Sequence, residues 1–149
     1  MPATQFYPVY LDVRGRRVLI VGGGPIATGK ARGLIEAGAD VTVVAPEVSE
    51  AIRGWHTAGE LRWHARAFDD GDISCMFMVI GATDDKALNA RVYQLANAEQ
   101  RVANAVDDLD NCNFIAPAIA RRGELQVAVS TGGASPALAS NPDVPLEDG

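Results

Sequence analysis

The sequence lacks the features that would assign it to a membrane or a secreted class of protein. No apolar run in its 149 residues approaches the roughly 18 that a membrane-spanning helix requires. Its first residues contain neither the basic segment nor the long apolar stretch of a secretory signal. We therefore expect no contact with a membrane and a cytoplasmic location.

Cysteine and histidine are scarce. Two of each are present, and neither Cys75 and Cys112 nor His56 and His64 show the close spacing of a metal-binding motif. We therefore predict two reduced thiols, two surface histidines and no metal site.

Positive charge is also in short supply. Thirteen Lys and Arg residues face 19 Asp and Glu residues, which gives a formal net charge of −6, and the basic residues are scattered. Nucleic-acid binding depends on clustered basic residues that neutralise phosphates. The composition thus predicts no nucleic-acid partner, whereas the length suffices for one globular domain with its own core.

One glycine-rich stretch stands out against this background. The apolar residues 18–21 lead into Gly22, Gly23 and Gly24, and a helix-compatible segment follows. Read as G-x-G-x-x-A, with Ala27 in the last position, the motif predicts a strand, a tight turn and a helix N-terminus that binds a dinucleotide pyrophosphate. A turn that only bends the chain can have the same sequence. The flanking pattern therefore decides between a dinucleotide-binding loop and a structural turn.

The flanking pattern predicts an α/β fold with a Rossmann-like parallel sheet and helices on both faces. Apolar residues recur at helical spacing up to Gly38, and residues 40–45 form a second strand, which completes a βαβ unit. Further along we predict, in order, a helix over 46–59, an edge strand over 61–67, a turn at 69–72, a buried strand over 75–82, a helix capped by 83–85 and a strand over 101–106.

The last third of the chain changes character. Two strand-like segments, residues 114–120 and 125–130, flank a polar turn and predict a β-hairpin. A second glycine turn follows, and the aperiodic tail over 140–149 is predicted to be disordered. We thus expect one dinucleotide-binding domain over residues 1–139, with a hairpin extension from about residue 113.

Two acidic residues follow the predicted strand over 101–106. Asp107 and Asp108 would lie at the carboxyl edge of the sheet, where open α/β folds bind their ligands. A carboxylate at that place can act as a general base or orient a substrate. It can equally accept backbone N–H groups within the turn, so the residues alone leave both roles open.

An acidic residue after the second strand bears on the cofactor. Glu47 lies slightly beyond the position where an NAD-specific fold places its ribose-binding acid, and no Arg or Lys stands beside it in the sequence. This favours NAD, although Glu47 could instead favour the start of the next helix through its charge. The loop over 131–135 is either an anion-binding turn or a structural one.

Six motifs, in this order, resemble the precorrin-2 dehydrogenase family, which includes the N-terminal part of sirohaem synthase. They are YPVYL at 7–11, VGGGPIA at 21–27, GATDD at 81–85, NAVD at 104–107, NCNFIAP at 111–117 and VAVSTGGASP at 127–136. The resemblance covers about residues 5 to 139. It implies a homodimer that oxidises precorrin-2 to sirohydrochlorin with NAD in sirohaem biosynthesis; some family members also insert ferrous iron.

Site residues follow from the motif and the resemblance together. The family's catalytic aspartate falls on Asp107. Cofactor contacts are expected at Gly22, Gly23, Gly24, Pro25, Ile26, Pro46, Glu47 and Thr83. Because the tetrapyrrole substrate has many carboxylates, anion contacts are expected at Arg121, Arg122, Thr131, Gly132 and Ser135.

The sequence departs from the family pattern in two places. Of the basic residues that the family has around positions 28–30 of the first helix, only Lys30 is present. Family members also continue beyond the position of Ala139 into a helical region that completes a dimer. The alternative function is therefore a non-catalytic NAD(H)-binding module or partner subunit. Iron chelation as the main activity has no ligand cluster in the sequence to support it.

Overall fold

The computed structural model describes residues 5–130, which divide into two units. The larger unit consists of residues 10–114, and the smaller one contains residues 5–9 and 115–130. The second glycine turn and the predicted tail lie outside the described residues.

The larger unit is a five-stranded parallel sheet in the order β3-β2-β1-β4-β5. This is the strand order of a doubly wound dinucleotide-binding fold, and it confirms the predicted Rossmann-like architecture. The elements are β1 (Arg17–Val21), α1 (Pro25–Glu36), β2 (Asp40–Val44), α2 (Glu50–Thr57), β3 (Arg62–His64), a 3₁₀ turn (Asp70–Ile73), β4 (Met78–Gly81), α3 (Lys86–Ala98), β5 (Val102–Ala105) and a second 3₁₀ turn (Leu109–Asn111).

Both faces of the sheet are covered, which explains the unbroken apolar runs in its central strands. Val18 and Ile20 of β1 point to the face that packs against α1 and α2. Leu19 and Val21 point to the other face, which packs against α3. Because successive strand residues alternate between faces, β1 contributes to both cores and lies at the centre of the fold.

Each helix begins where the sequence provides a suitable first residue. Pro25 occupies the first position of α1, where its missing N–H costs no hydrogen bond. The Ser49 hydroxyl accepts a bond from the Ile52 N–H and caps α2, and the Asp85 carboxylate caps α3 through the Leu88 N–H. The predicted capping segment over 83–85 is thereby confirmed.

Several predicted segments differ in their bounds from the structure, among them the helix predicted over 46–59, which is α2 (Glu50–Thr57). The buried strand expected over 75–82 begins only at Met78, because the preceding 3₁₀ turn leads into Cys75, which is exposed and has a left-handed φ of 64°. The turn expected at 69–72 is that 3₁₀ turn, closed by reciprocal bonds between Asp69 and Asp72. The edge strand β3 is confirmed in place but has three residues.

The smaller unit contains the predicted hairpin. Its strands β6 (Ala118–Arg122) and β7 (Leu125–Val129) pair in antiparallel register, with Arg122 opposite Leu125. Gly123 takes a φ of 58° in the connecting turn. Across residues 5–130, no helix is both long enough and apolar enough to cross a membrane.

Candidate functional site

The candidate site is built from loops that follow β1, β2, β4 and β5 at the carboxyl edge of the sheet. β1 is paired with β2 on one side and with β4 on the other. The chain therefore reverses its direction of winding between β1 and β4, and open α/β sheets bind ligands at such a switch point. The glycine motif lies there.

Two of the three glycines are required by the protein itself. A Cβ on Gly22 would lie 2.2 Å from the carbonyl oxygen of Ala82, and the φ of Gly22 is 129°. A Cβ on Gly23 would lie 2.2 Å from the carbonyl oxygen of Glu47. Gly22 thus lets the loop after β1 contact the loop after β4, and Gly23 lets it contact the loop after β2.

Gly24 differs from both neighbours. Its φ is −84°, and a Cβ placed there would have no heavy atom within 4 Å, leaving aside its chain neighbours. No side chain caps α1, whose first N–H groups lack intrahelical partners. Open space beside an uncapped helix N-terminus fits the pyrophosphate of a dinucleotide.

A buried side chain holds the loop after β4 in place through hydrogen bonds. Asn89 is 3% exposed, and its Oδ1 accepts the Thr83 N–H at 2.9 Å while its Nδ2 donates to the Thr83 carbonyl at 2.9 Å. Thr83 therefore has a defined position, and its N–H approaches the Gly22 Cβ position at 3.2 Å. The structure thus brings the predicted cofactor residues Gly22 and Thr83 together.

Asp107 occupies an unusual backbone conformation directly after β5. Its φ is 58°, in the left-handed region that residues other than glycine rarely adopt. It is the third residue of a turn in which the Asp108 N–H donates to the Ala105 carbonyl at 3.3 Å. Strained backbone of this kind is concentrated at functional sites, and here it presents an exposed carboxylate at the sheet edge.

Asp108 has a different environment from Asp107. Its Oδ2 accepts a bond from Asn111 Nδ2 at 2.7 Å within the second 3₁₀ turn. The returning chain is held against β5, where Asn113 Oδ1 accepts the Ala103 N–H at 2.7 Å and Asn104 Nδ2 donates to the Phe114 carbonyl at 2.9 Å. Asp108 therefore serves the turn, and these bonds fix the loop that carries Asp107.

Lys30 of α1 is a basic residue whose pKa is affected by the charge of Asp107. It is half-buried, and this burial lowers the pKa of its ammonium group, while the negative charge of Asp107 acts in the opposite direction. α1 thus contributes its N-terminus to the glycine loop and, in its second turn, a cation that interacts with the Asp107 carboxylate.

A pocket of about 700 Å³ lies on the β2 side of the glycine loop. It includes Glu47, as the sequence predicted, but also Arg32, which sequence reasoning missed. The lining residues are Gly23, Gly24, Pro25, Thr28, Gly29, Arg32, Glu47, Val48 and Ser49. Helical periodicity carried the missing signal, since positions 25, 28, 29 and 32 share one face of α1.

The remaining predicted residues are distributed as follows. Ile26 is half exposed and Pro46 is exposed, both beside the glycine loop and the loop after β2. Arg121 and Arg122 are exposed on β6 in the smaller unit. Thr131, Gly132 and Ser135 lie outside the described residues. Within residues 5–130, no three His, Cys, Asp or Glu side chains are grouped as metal ligands.

Comparison with protein families agrees with this geometry. Residues 9–118 match a family described as "Putative NAD(P)-binding", and residues 122–140 match one described as "Sirohaem biosynthesis protein central". The first match covers most of the chain and confirms the prediction of a nicotinamide dinucleotide cofactor.

Individual relatives point the same way. The chain is 45% identical over 135 residues to siroheme synthase 1 of Pectobacterium atrosepticum and 41% identical over 134 residues to siroheme synthase of Actinobacillus pleuropneumoniae. These alignments cover 91% and 90% of this chain and 28% of each relative, so the chain corresponds to about a quarter of their length.

A solved structure extends the similarity to three dimensions. SirC, a precorrin-2 dehydrogenase, superimposes with a TM-score of 0.82 and 40% sequence identity, covering 90% of this chain and 66% of SirC. With the family matches and the six ordered motifs, this similarity shows that the chain belongs to the precorrin-2 dehydrogenase family of NAD(P)-binding domains.

Proposed function

We propose that the protein oxidises precorrin-2 to sirohydrochlorin with NAD as the hydride acceptor. The observation that carries this proposal is the placement of Asp107, a strained and exposed carboxylate at the end of β5. It lies on the same edge of the sheet as the glycine loop. The similarity to SirC, a precorrin-2 dehydrogenase, supports the identity of the substrate.

In this proposal the dinucleotide would be held across the switch point. Gly24, Pro25, Ile26 and the N-terminus of α1 would hold its pyrophosphate. Pro46 and Glu47 would hold its adenosine end, and Thr83 would hold its nicotinamide end on the side of Asp107. The nicotinamide supplies the hydride-accepting carbon when the cofactor is bound.

In this account Asp107 acts as the general base. Dehydrogenation transfers a hydride from the tetrapyrrole to the nicotinamide and releases a proton, and the Asp107 carboxylate accepts that proton. The turn after β5 places the backbone of Asp107 at the sheet edge before substrate binds. Lys30 supplies positive charge that balances the carboxylates of Asp107 and the substrate.

The substrate's own carboxylates require further basic or N–H contacts. We assign these to Arg121 and Arg122 on β6 and to Thr131, Gly132 and Ser135, which the sequence predicts to lie in a glycine turn. Guanidinium groups and backbone N–H groups both form charge-assisted bonds with carboxylates. Replacement of both arginines by Gln is expected to raise KM for precorrin-2 and to leave NADH affinity unchanged.

Asp107→Asn tests the proposal directly, because Asn tolerates the left-handed conformation that Ala does not. We expect the variant to bind NADH normally in calorimetry and to lose at least about a hundredfold in kcat, the usual contribution of a general base. Asp110→Asn changes a nearby exposed acid and serves as the matched control. Full turnover by Asp107→Asn would refute the assignment.

We also propose that the protein is cytoplasmic, as expected from its sequence, and that it is a homodimer, as the family resemblance implies. If the parent chain binds NADH but converts no precorrin-2, the alternative function as a non-catalytic NAD(H)-binding module replaces the dehydrogenase.

A further inference from the structure

The adenosine pocket contains opposite charges on two different elements. Glu47 comes from the loop after β2, and Arg32 comes from the third turn of α1. In dinucleotide-binding folds an acid at this place accepts bonds from the ribose hydroxyls of NAD, whereas an arginine accommodates the 2′-phosphate of NADP. This pocket contains both determinants, although the sequence around Glu47 shows only the acid.

Arg32 is exposed, and it contacts an aromatic ring rather than an anionic partner within the described residues. Its guanidinium carbon lies 5.6 Å from the centre of the Trp55 ring on α2, within cation–π range. Among residues 5–130, no carboxylate lies within ion-pair distance of it. The ring contact restricts the guanidinium, and its donors are left for a ligand.

The wall that joins the two elements is rigid. The Thr28 hydroxyl donates to the Gly24 carbonyl at 2.8 Å and lies 2.7 Å from the Ser49 hydroxyl, which caps α2. Thr28 is 9% exposed. These bonds connect the start of α1 to the start of α2, so the backbone segments that bring Arg32 and Glu47 to the same pocket are held together.

We infer that Arg32 is a specificity-determining residue, and that Glu47 and Arg32 together set the preference of this pocket between NAD and NADP. The inference rests on the proposed dinucleotide site. Glu47 repels a 2′-phosphate and accepts bonds from a free ribose, so the parent protein prefers NAD. With the charge of Glu47 removed, Arg32 binds the phosphate in a charge-assisted and directional manner.

The test is a titration of NADH and NADPH into the full chain, by calorimetry, for the parent, Glu47→Gln, Arg32→Gln and the double variant. Glu47→Gln is expected to tighten NADPH binding about tenfold, or about 1.4 kcal/mol. The double variant is expected to lose that gain. Arg32→Gln alone is expected to leave NADH binding within about twofold, because Arg32 acts on the phosphate.

Arg53→Gln is the matched control. Arg53 also lies over a tryptophan, with its guanidinium carbon 5.6 Å from the Trp63 ring centre, but it does not line the pocket. We expect this variant to bind both nucleotides as the parent does.

Two results would overturn the inference while the dinucleotide site stands. One is a Glu47→Gln variant whose NADPH affinity does not rise, and the other is a gain that persists in the double variant. Failure of the proposed function is a separate result. It would appear as a parent chain that converts no precorrin-2, and failure of the dinucleotide site itself would appear as a parent chain that binds neither NADH nor NADPH.

Discussion

Gly24 is a glycine that the fold itself does not require. Its backbone conformation is open to other residues, and the space around its missing side chain is empty of other protein atoms. Gly22 beside it is required by both conformation and packing. The motif thus combines two glycines that the fold requires, Gly22 and Gly23, with a third, Gly24, that we assign to ligand binding.

Replacement of Gly24 by Ala is therefore expected to preserve the fold and weaken cofactor binding. A methyl group there would occupy the place where the backbone approaches the pyrophosphate, so we expect NADH affinity to fall at least about tenfold. The melting temperature should stay near that of the parent. Calorimetry and thermal unfolding measure the two effects separately.

Gly22→Ala provides the contrasting variant. It forces a Cβ into the Ala82 carbonyl at a positive φ, and we expect a loss of roughly 2–5 kcal/mol in the free energy of unfolding. If Gly22→Ala were as stable as the parent, or Gly24→Ala unfolded, this division of roles would be wrong.

Lys30 gives the protein a pH dependence of stability with a definite sign. Burial lowers its pKa below 10.5, so the charged form is penalised in the folded state. The penalty is fully present below the folded-state pKa and disappears as pH rises from that pKa to 10.5. Lys30→Met should therefore be more stable than the parent at pH 7, with a difference that shrinks toward pH 10.5.

Chemical denaturation at several pH values measures this difference. Lys86→Met changes an exposed lysine at the start of α3 and is the control. A Lys30→Met variant that is less stable than the parent at pH 7 would contradict the account, because the Asp107 attraction would then outweigh burial.

At the scale of elements, α1 carries most of the candidate site. Its first turn borders the open space beside Gly24, its second contains Lys30, and its third contains Arg32. It also holds two glycines, Gly29 and Gly33, and a Cβ at either position would have open space around it. A glycine inside a helix costs about 0.5–1 kcal/mol of stability relative to Ala. Replacing Gly29 and Gly33 in turn therefore tests whether ligand binding requires glycine at either position.

Gly29→Ala and Gly33→Ala should each raise the free energy of unfolding by about 0.5–1 kcal/mol. Gly29 lines the pocket and Gly33 does not. Only Gly29→Ala should therefore weaken NADH binding, by a fewfold, while Gly33→Ala leaves it unchanged. Equal effects of both variants on NADH affinity would place the adenosine end outside this pocket.

The elements were predictable from sequence where one local rule dominates. The glycine turn, the cap at Asp85 and the period of α1 each depend on neighbouring residues, and each was predicted correctly. The predicted start of β4 was wrong. The apolar run that begins at Cys75 is typical of a strand, whereas in the structure the preceding 3₁₀ turn leaves Cys75 in a left-handed conformation.

The candidate site was predictable only in part, for a physical reason. Asp107 could be placed at the sheet edge because strand ends meet there. Its strained φ depends on the bonds that hold the returning loop to β5, and those form only after the chain has folded. Arg32 and Glu47 lie 15 positions apart, and no local pattern connects them before α1 packs beside β2.

At the scale of the whole molecule, our proposal includes assembly into a homodimer. Light scattering coupled to size-exclusion chromatography should give twice the 15.7 kDa chain mass, if the protein is the homodimer we propose. A dimer held by a specific interface keeps that mass on dilution to its dissociation constant and then dissociates. A monomer at all concentrations up to the millimolar range would contradict the proposal.

Acidity is a second property of the whole molecule. With a formal net charge of −6, the protein repels polyanions at low ionic strength, so a substrate rich in carboxylates depends on local basic groups for capture. In our account, substrate binding and proton transfer therefore depend on the local charges of Asp107 and Lys30 rather than on the net charge of the protein.

The most direct measurement is the rate of NADH formation when the purified chain is mixed with NAD and freshly generated precorrin-2, with Asp107→Asn and Asp110→Asn measured in parallel. We predict turnover by the parent and by Asp110→Asn, and loss of at least about a hundredfold in Asp107→Asn with NADH binding retained. Equal turnover by Asp107→Asn and the parent would contradict the central claim that Asp107 is the general base of the dehydrogenation.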